Sequence, residues 1–188
     1  MNEGLIAESY DQHRDYRRSH RGGSVYLAVE GVLWLFSSTL GAVGRIPISM
    51  LVLIIGGMFI HPIAVMCSRF LKLPSPAPSN RLSILNTWVA LIIPLGIPLI
   101  FFATSAGRVN LFFPAFAVLV GAHWLPFTYI YSMRSFITIA GILVLVGILF
   151  GFVFTQSFSA CGFVTGGVLL LFAAIHTFIV HRELSGGS

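Results

Sequence analysis

The sequence predicts an all-α integral membrane bundle of six transmembrane helices, with both termini in the cytoplasm. Three observations predict it. Of the 188 residues, 56% are apolar and only 9% are charged, whereas a soluble domain carries about 25% charged residues to cover its core. The apolar residues fall into six uninterrupted runs, each near the roughly 20 residues that a bilayer core about 30 Å thick requires. The basic residues follow sidedness: Arg14, Arg17, Arg18, Arg21, Arg69, Lys72, Arg81, Arg134 and Arg182 fall on one side of the spans, and only Arg45 and Arg108 on the other. That bias puts the first set in the cytoplasm. It also removes the nucleic-acid reading that the formal charge of +5 invites, because the cations form no stripe on one domain. Strand alternation over about 10 residues, the signal of a transmembrane β-barrel, is absent. The competing count is five spans plus a re-entrant segment.

Residues 1–23 form a polar, basic cytoplasmic segment that ends in an Arg/His cluster and Gly22-Gly23. They lack an apolar core of their own. A cleaved signal peptide is a poor reading, because the first apolar run is too long and no Ala-x-Ala follows it. The arginines read as the positive-inside anchor, with contact to anionic lipid as the second option. The six-helix domain occupies residues 24–182, with spans over Val25–Val43, Ile46–Cys67, Ile84–Ala103, Val109–Tyr131, Phe136–Phe154 and Cys161–Val180. The loop Ser68–Ser83, with Pro74, Pro76 and Pro78, reads as a stiff, partly polyproline-II crossing. The tail, residues 183–188, ends in Ser185-Gly186-Gly187-Ser188 and reads as a linker remnant.

Lipid tails give helices no hydrophobic reason to associate, so close packing rests on small residues and a few polar contacts. Gly147-xxx-Gly151 on the fifth span and Gly162-xxx-Gly166 on the sixth therefore predict a tight hairpin, glycine against glycine. Prolines interrupt the second, third and fourth spans at Pro62, Pro94, Pro98, Pro114 and Pro126. Each removes a backbone donor, which predicts spans bent around something and a fifth span that simply faces lipid. Cys67 and Cys161 fall near opposite membrane surfaces, too far apart for a disulfide. A repeat is faintly visible, since the second, fourth and sixth spans each carry an inner-half histidine (His61, His123, His176) followed by an arginine.

Ionisable side chains inside a bilayer are costly unless paired or hydrated, so each is a functional candidate. Glu30, His61, Asn86, His123 and His176 all fall in the cytoplasmic half of their spans. Tyr26, Glu30, Trp34 and Ser37 share one stripe of the first span. The fourth span, taken as a continuous helix, brings His123 and Arg134 to one face, with Trp124 and Tyr131 beside them. Together Glu30, His61, His123, Trp34, Asn86, Trp124, Tyr131 and Arg134 predict a polar, aromatic-walled pocket open to the cytoplasm, of the mixed kind that binds ligands. The competing readings are structural: Glu30 snorkelling to Arg21, single histidines facing carbonyls, tryptophans packing or forming an interfacial belt, and Arg134 acting as an anchor.

Three chemistries can use this set. Glu30 with a histidine relay suits proton- or ion-linked translocation. His61, His123, His176 and Glu30 offer ligands for zinc, iron or manganese, although no helix holds a local ligand pair. His61 and His123 on neighbouring helices permit bis-histidine haem. The cofactor, if any, stays open.

The segment Gly121-Ala122-His123-Trp124-Leu125-Pro126-Phe127, running on through Tyr129, Ile130, Tyr131, Ser132 and Met133 to Arg134, resembles the signature of an uncharacterised family of small bacterial multi-pass membrane proteins. That resemblance implies a bacterial inner membrane and assigns no activity. The expected function is a small polytopic inner-membrane protein that binds or translocates a small molecule or ion. The alternatives are a membrane-embedded metal- or haem-dependent enzyme and a structural or accessory subunit. The expected partners are the lipid bilayer and that small molecule or ion, with self-association left open.

Overall fold

The computed structural model describes residues 2–105 and 107–185; Gly186, Gly187 and Ser188 of the tail lie outside the described residues. With no water inside a bilayer, backbone polar groups must pair within their own segment, and the apolar runs accordingly form helices. Six of these are long and apolar enough to cross a membrane: Arg21–Ala42, Ile46–Phe70, Leu82–Thr104, Val109–Ile130, Ser135–Phe152 and Ala160–Glu183. They identify a multi-pass membrane protein. The shortest has 18 residues, which at about 1.5 Å per residue is close to the thickness of the hydrocarbon core.

In chain order the helices are α1 (Asn2–Ser19), α2 (Ser24–Ala42), α3 (Ile46–Phe70), α4 (Leu82–Ala90), α5 (Ile92–Thr104), α6 (Phe112–Trp124), α7 (Phe127–Ile130), α8 (Ser135–Phe152) and α9 (Ala160–Ser185). The third span is two helices, α4 and α5, joined at Leu91 just before Pro94. The fourth is likewise divided: a 3-10 turn leads into α6, and the helix breaks at Leu125-Pro126 before the short α7. Pro62, by contrast, lies within α3, which stays one helix of 25 residues.

Packing is organised around α2 and α6. α2 packs against α3 on one side and α9 on the other, while α6 packs against α5 and α8, and α9 joins the two groups through α8 and α6. α3 and the α4–α5 span therefore stand at the two ends of a curved row of helices, and these two spans are the least buried of the six.

Two expectations fail here. The fifth span is not a plain lipid-facing helix, because α8 buries Phe136, Ile139, Ala140, Leu143, Val146 and Gly147 on a helical stripe against α6. The glycines also do not face one another across the last hairpin. A Cβ on Gly147 would meet the Pro114 carbonyl oxygen at 2.6 Å, on α6, while one on Gly166 would meet the Gly31 carbonyl oxygen at 3.0 Å, on α2. The Gly31–Gly166 approach is reciprocal, since a Cβ on Gly31 would lie 3.1 Å from the Gly166 oxygen. The small residues were read correctly as close-packing sites and assigned the wrong neighbours. The fifth span packs on the fourth, which precedes it, and the sixth packs on the first.

A polar clasp adds to the α2–α3 pair. Ser37 Oγ donates to the Ser49 carbonyl at 2.8 Å and Ser49 Oγ donates to the Ser37 carbonyl at 2.7 Å, with both serines fully buried. Such interhelical bonds are worth roughly 0.6 kcal/mol on average in a membrane. Cys67 and Cys161 are both free.

The polar N-terminal segment is a helix docked on one end of the bundle. Asn80 Nδ2 donates to the Gln12 carbonyl and to Asp15 Oδ2, both at 2.9 Å, and its Oδ1 accepts the Leu82 N–H that opens α4. Asp15 Oδ2 also accepts the Ala77 N–H at 3.0 Å. Arg17 pairs with Glu183 at 3.3 Å. α1 thus ties the Pro-rich loop and the end of α9 together, a role that its polar composition concealed.

Candidate functional site

A cleft of about 330 Å³ opens between α2, α3, the α4–α5 span and α6–α7. α2 contributes Tyr26, Glu30 and Trp34 at i, i+4 and i+8, the spacing that places side chains on one helical face. α3 contributes Gly57, Met58 and His61, α4 contributes Asn86, and α6 contributes Phe116, His123 and Trp124. The divided third span matters here. Its turn at Leu91, ahead of Pro94, falls within the wall of the cleft, and Ala90 and Pro94 on either side both line it.

At the centre, Glu30 is 6% exposed. Trp124 Nε1–H donates to its Oε2 at 3.1 Å, and the indole of Trp34 is a second neighbouring donor. Its partners are indoles, and Arg21, the snorkelling partner considered from sequence, is not among them. His123 donates through Nδ1–H to the Val89 carbonyl at 3.1 Å, which leaves the lone pair on Nε2 when the ring is neutral. Val89 belongs to α4, so this bond fixes the broken third span against α6. His61 Nδ1 lies 3.2 Å from the Tyr26 hydroxyl.

Six of the eight residues selected from sequence line this cleft: Glu30, Trp34, His61, Asn86, His123 and Trp124. Tyr131 and Arg134 do not. Arg134 lies in the turn between the fourth and fifth spans, beyond a left-handed Ser132 (φ 51°) that ends the helical path. Arg134 is exposed. Tyr131 is buried outside the lining, stacked on the cleft residue Phe127 and on Phe136 with ring centroids 5.8 and 5.4 Å away. Tyr26, Leu53, Phe116 and Phe127 line or border the cleft; of these, only Tyr26 had a sequence signal, through its stripe with Glu30.

His176, a metal candidate from sequence, sits elsewhere. Its Nδ1–H donates to the Gly22 carbonyl at 2.8 Å, and Ser135 Oγ lies 2.7 Å from its Nε2. Both ring nitrogens are engaged in fastening the Gly22-Gly23 elbow to α8 and α9. The elbow needs its glycines, since Gly22 and Gly23 have φ of 60° and 77° and only glycine adopts such angles freely. Among the described residues no three of His, Cys, Asp or Glu group closely enough to hold a metal ion, so His61, His123, His176 and Glu30 do not form the four-ligand set.

Next to the cleft, at the end covered by α1, His20 lies between Tyr16 and Tyr26 with ring centroids 4.3 and 5.9 Å away. Burial holds its pKa below the ordinary 6.5, against a smaller upward pull from the Tyr16 carbonyl. Burial likewise raises the Tyr16 and Tyr131 hydroxyls above their usual range. This cluster therefore stays neutral at neutral pH, an uncharged aromatic floor under the cleft.

The model of a family of unknown function (DUF7010) matches residues 10–179. No curated protein and no solved structure matches the chain.

Proposed function

We propose that this chain, which belongs to the DUF7010 family of unknown function, binds a small molecule or ion in the cleft around Glu30 and moves it into or across the bilayer. The observation that carries this reading is a carboxylate buried among spans, held by indole N–H groups, in a cleft that also contains His61, Asn86 and His123. A buried carboxylate is expensive in a bilayer, and here it is partnered by donors weaker than a cation. That is economical for a site whose charge a ligand or proton compensates. Both termini face the cytoplasm in this reading, following the arginine bias, and the membrane is a bacterial inner membrane, following the resemblance of the Gly121–Arg134 segment. The four-ligand metal reading asks for His176 beside the others, and His176 bonds Gly22 and Ser135 instead.

Gly57 lines the cleft, and a Cβ there meets nothing within 4 Å, so the side chain of Gly57→Trp starts into open space in the cleft. Mass spectrometry of small molecules carried through purification by the parent and by Gly57→Trp tests the proposal. A species bound to the parent and missing from Gly57→Trp is expected. Identical small-molecule content in the two proteins would overturn it.

A further inference from the structure

The lining of the cleft carries information about its ligand. Among the described residues of the wall, Glu30 is the only formally charged side chain, with no lysine or arginine beside it. The remaining polar groups are the Tyr26 hydroxyl, the Asn86 amide and the imidazoles of His61 and His123. Around them stand the rings of Trp34, Phe116, Trp124 and Phe127. Aromatic faces attract cations through the ring quadrupole, most strongly when both are out of water. A small metal cation fits this lining poorly, because hard cations take six or more oxygen ligands and the indoles direct N–H donors at the one carboxylate. An organic cation, whose charge is spread over an apolar body, matches an anionic centre inside an aromatic wall.

The position of the cleft narrows the class further. It lies between α3 and the α4–α5 span, the two spans left at the ends of the row of packed helices. Met58 and Pro94, which line the cleft from α3 and α5, are both exposed, Met58 at 71%. These apolar side chains face the surroundings of the spans, which in a membrane are acyl chains. A ligand entering there must first dissolve in the bilayer.

We infer that the cleft takes a lipophilic organic cation, entering sideways between α3 and α5, with Glu30 as its counter-ion inside the aromatic wall. The inference rests on the binding reading above and adds the chemical class and the route.

The test uses the full chain in lipid nanodiscs and equilibrium dialysis, with empty nanodiscs as the reference for partitioning. Three probes of similar shape are compared: the cation tetraphenylphosphonium, the anion tetraphenylborate and neutral triphenylphosphine oxide. The cation is expected to bind, the other two not to rise above the reference, and Glu30→Gln to weaken the cation by about tenfold or more, as loss of a buried charge partner does. Gly57→Trp is expected to abolish binding, and it supplies a second variant should Glu30→Gln fold poorly. If anion and cation bind alike and Gly57→Trp abolishes both, the cation inference is wrong while the binding reading stands. If the cation fails to bind, the inference falls, and the co-purification comparison decides the binding reading separately. If the cation binds Gly57→Trp as well as the parent, the cleft is not its site and the inference falls, while the co-purification comparison again decides the binding reading.

Discussion

The indole of Trp124 donates to Glu30 across 3.1 Å, joining residues 94 positions apart in the chain and linking the first span to the fourth. α2 and α6 are the two helices around which the others pack, so this bond ties the two halves of the bundle at the base of the cleft. Trp124 is 3% exposed and stacks on Phe136 with centroids 5.4 Å apart. The carboxylate is therefore held by a side chain that has little freedom of its own, and its position is fixed before any ligand arrives.

The α2–α9 seam depends on missing side chains. Gly31→Leu or Gly166→Leu drives a side chain into the opposite backbone, where the Cβ alone is 3.0–3.1 Å from a carbonyl oxygen, and overpacking of this kind costs about 1–3 kcal/mol. Gly141→Leu and Gly167→Leu serve as controls, since a Cβ at either meets nothing within 4 Å. Thermal melts in detergent should show the first pair clearly below the parent and the second pair close to it. Equal melting of all four variants would remove the seam from the account.

The number and approximate bounds of the spans were legible in the sequence because they depend on hydropathy and length alone. Glu30, His61, Asn86 and His123 could be grouped by depth, counted in residues from each span's end, and Trp34 and Trp124 by helical phase; depth alone also drew in His176, which lies elsewhere. Tyr131 and Arg134 fall outside the lining because Tyr131 is buried against Phe127 and Phe136, and the left-handed Ser132 turns the chain before Arg134. Spacing along one helix does not show which neighbour covers a side chain. Neither was the pairing of helices readable: Gly31, which meets Gly166, stands in no GxxxG motif, and two motifs close in sequence invited the wrong match. The docking of α1 through Asn80 and Asp15 left no pattern at all, because single polar residues in loops look like ordinary solvated ones.

The arginine bias predicts a specific topology. With single cysteines introduced one at a time into a Cys67→Ser, Cys161→Ala background, an impermeant maleimide applied outside should label positions 45, 108 and 157. Positions in the N-terminal segment, in the Ser68–Ser83 loop, at 134 and in the tail should label only after the membrane is opened. Labelling at 134 from outside, or protection at 108, would contradict the orientation.

Acid should loosen the end of the bundle that α1 covers. Burial depresses the pKa of His20 below 6.5, so as pH falls past that value the unfolded chain gains a proton that the folded chain resists. Stability contributed by neutral His20 is complete above about pH 7 and declines as pH drops toward the depressed folded value. His61 on α3 adds repulsion to the charged form and Asp15 on α1 opposes it. In His20→Asn the fall in melting temperature between about pH 7.5 and about pH 5.5 should be shallower than in the parent. An unchanged pH dependence would show that His20 protonation is not coupled to folding.

The central claim, that small molecules reach Glu30 through the cleft, can be read chemically at that residue. A hydrophobic carbodiimide enters from the bilayer and adds to carboxyl groups in apolar surroundings, leaving a stable acylurea that peptide mass spectrometry locates. Dicyclohexylcarbodiimide applied to the protein in its membrane should modify Glu30, and Gly57→Trp, whose side chain starts into the cleft from α3, should suppress that modification. An unmodified Glu30 in the parent, or equal modification in Gly57→Trp, would contradict the account.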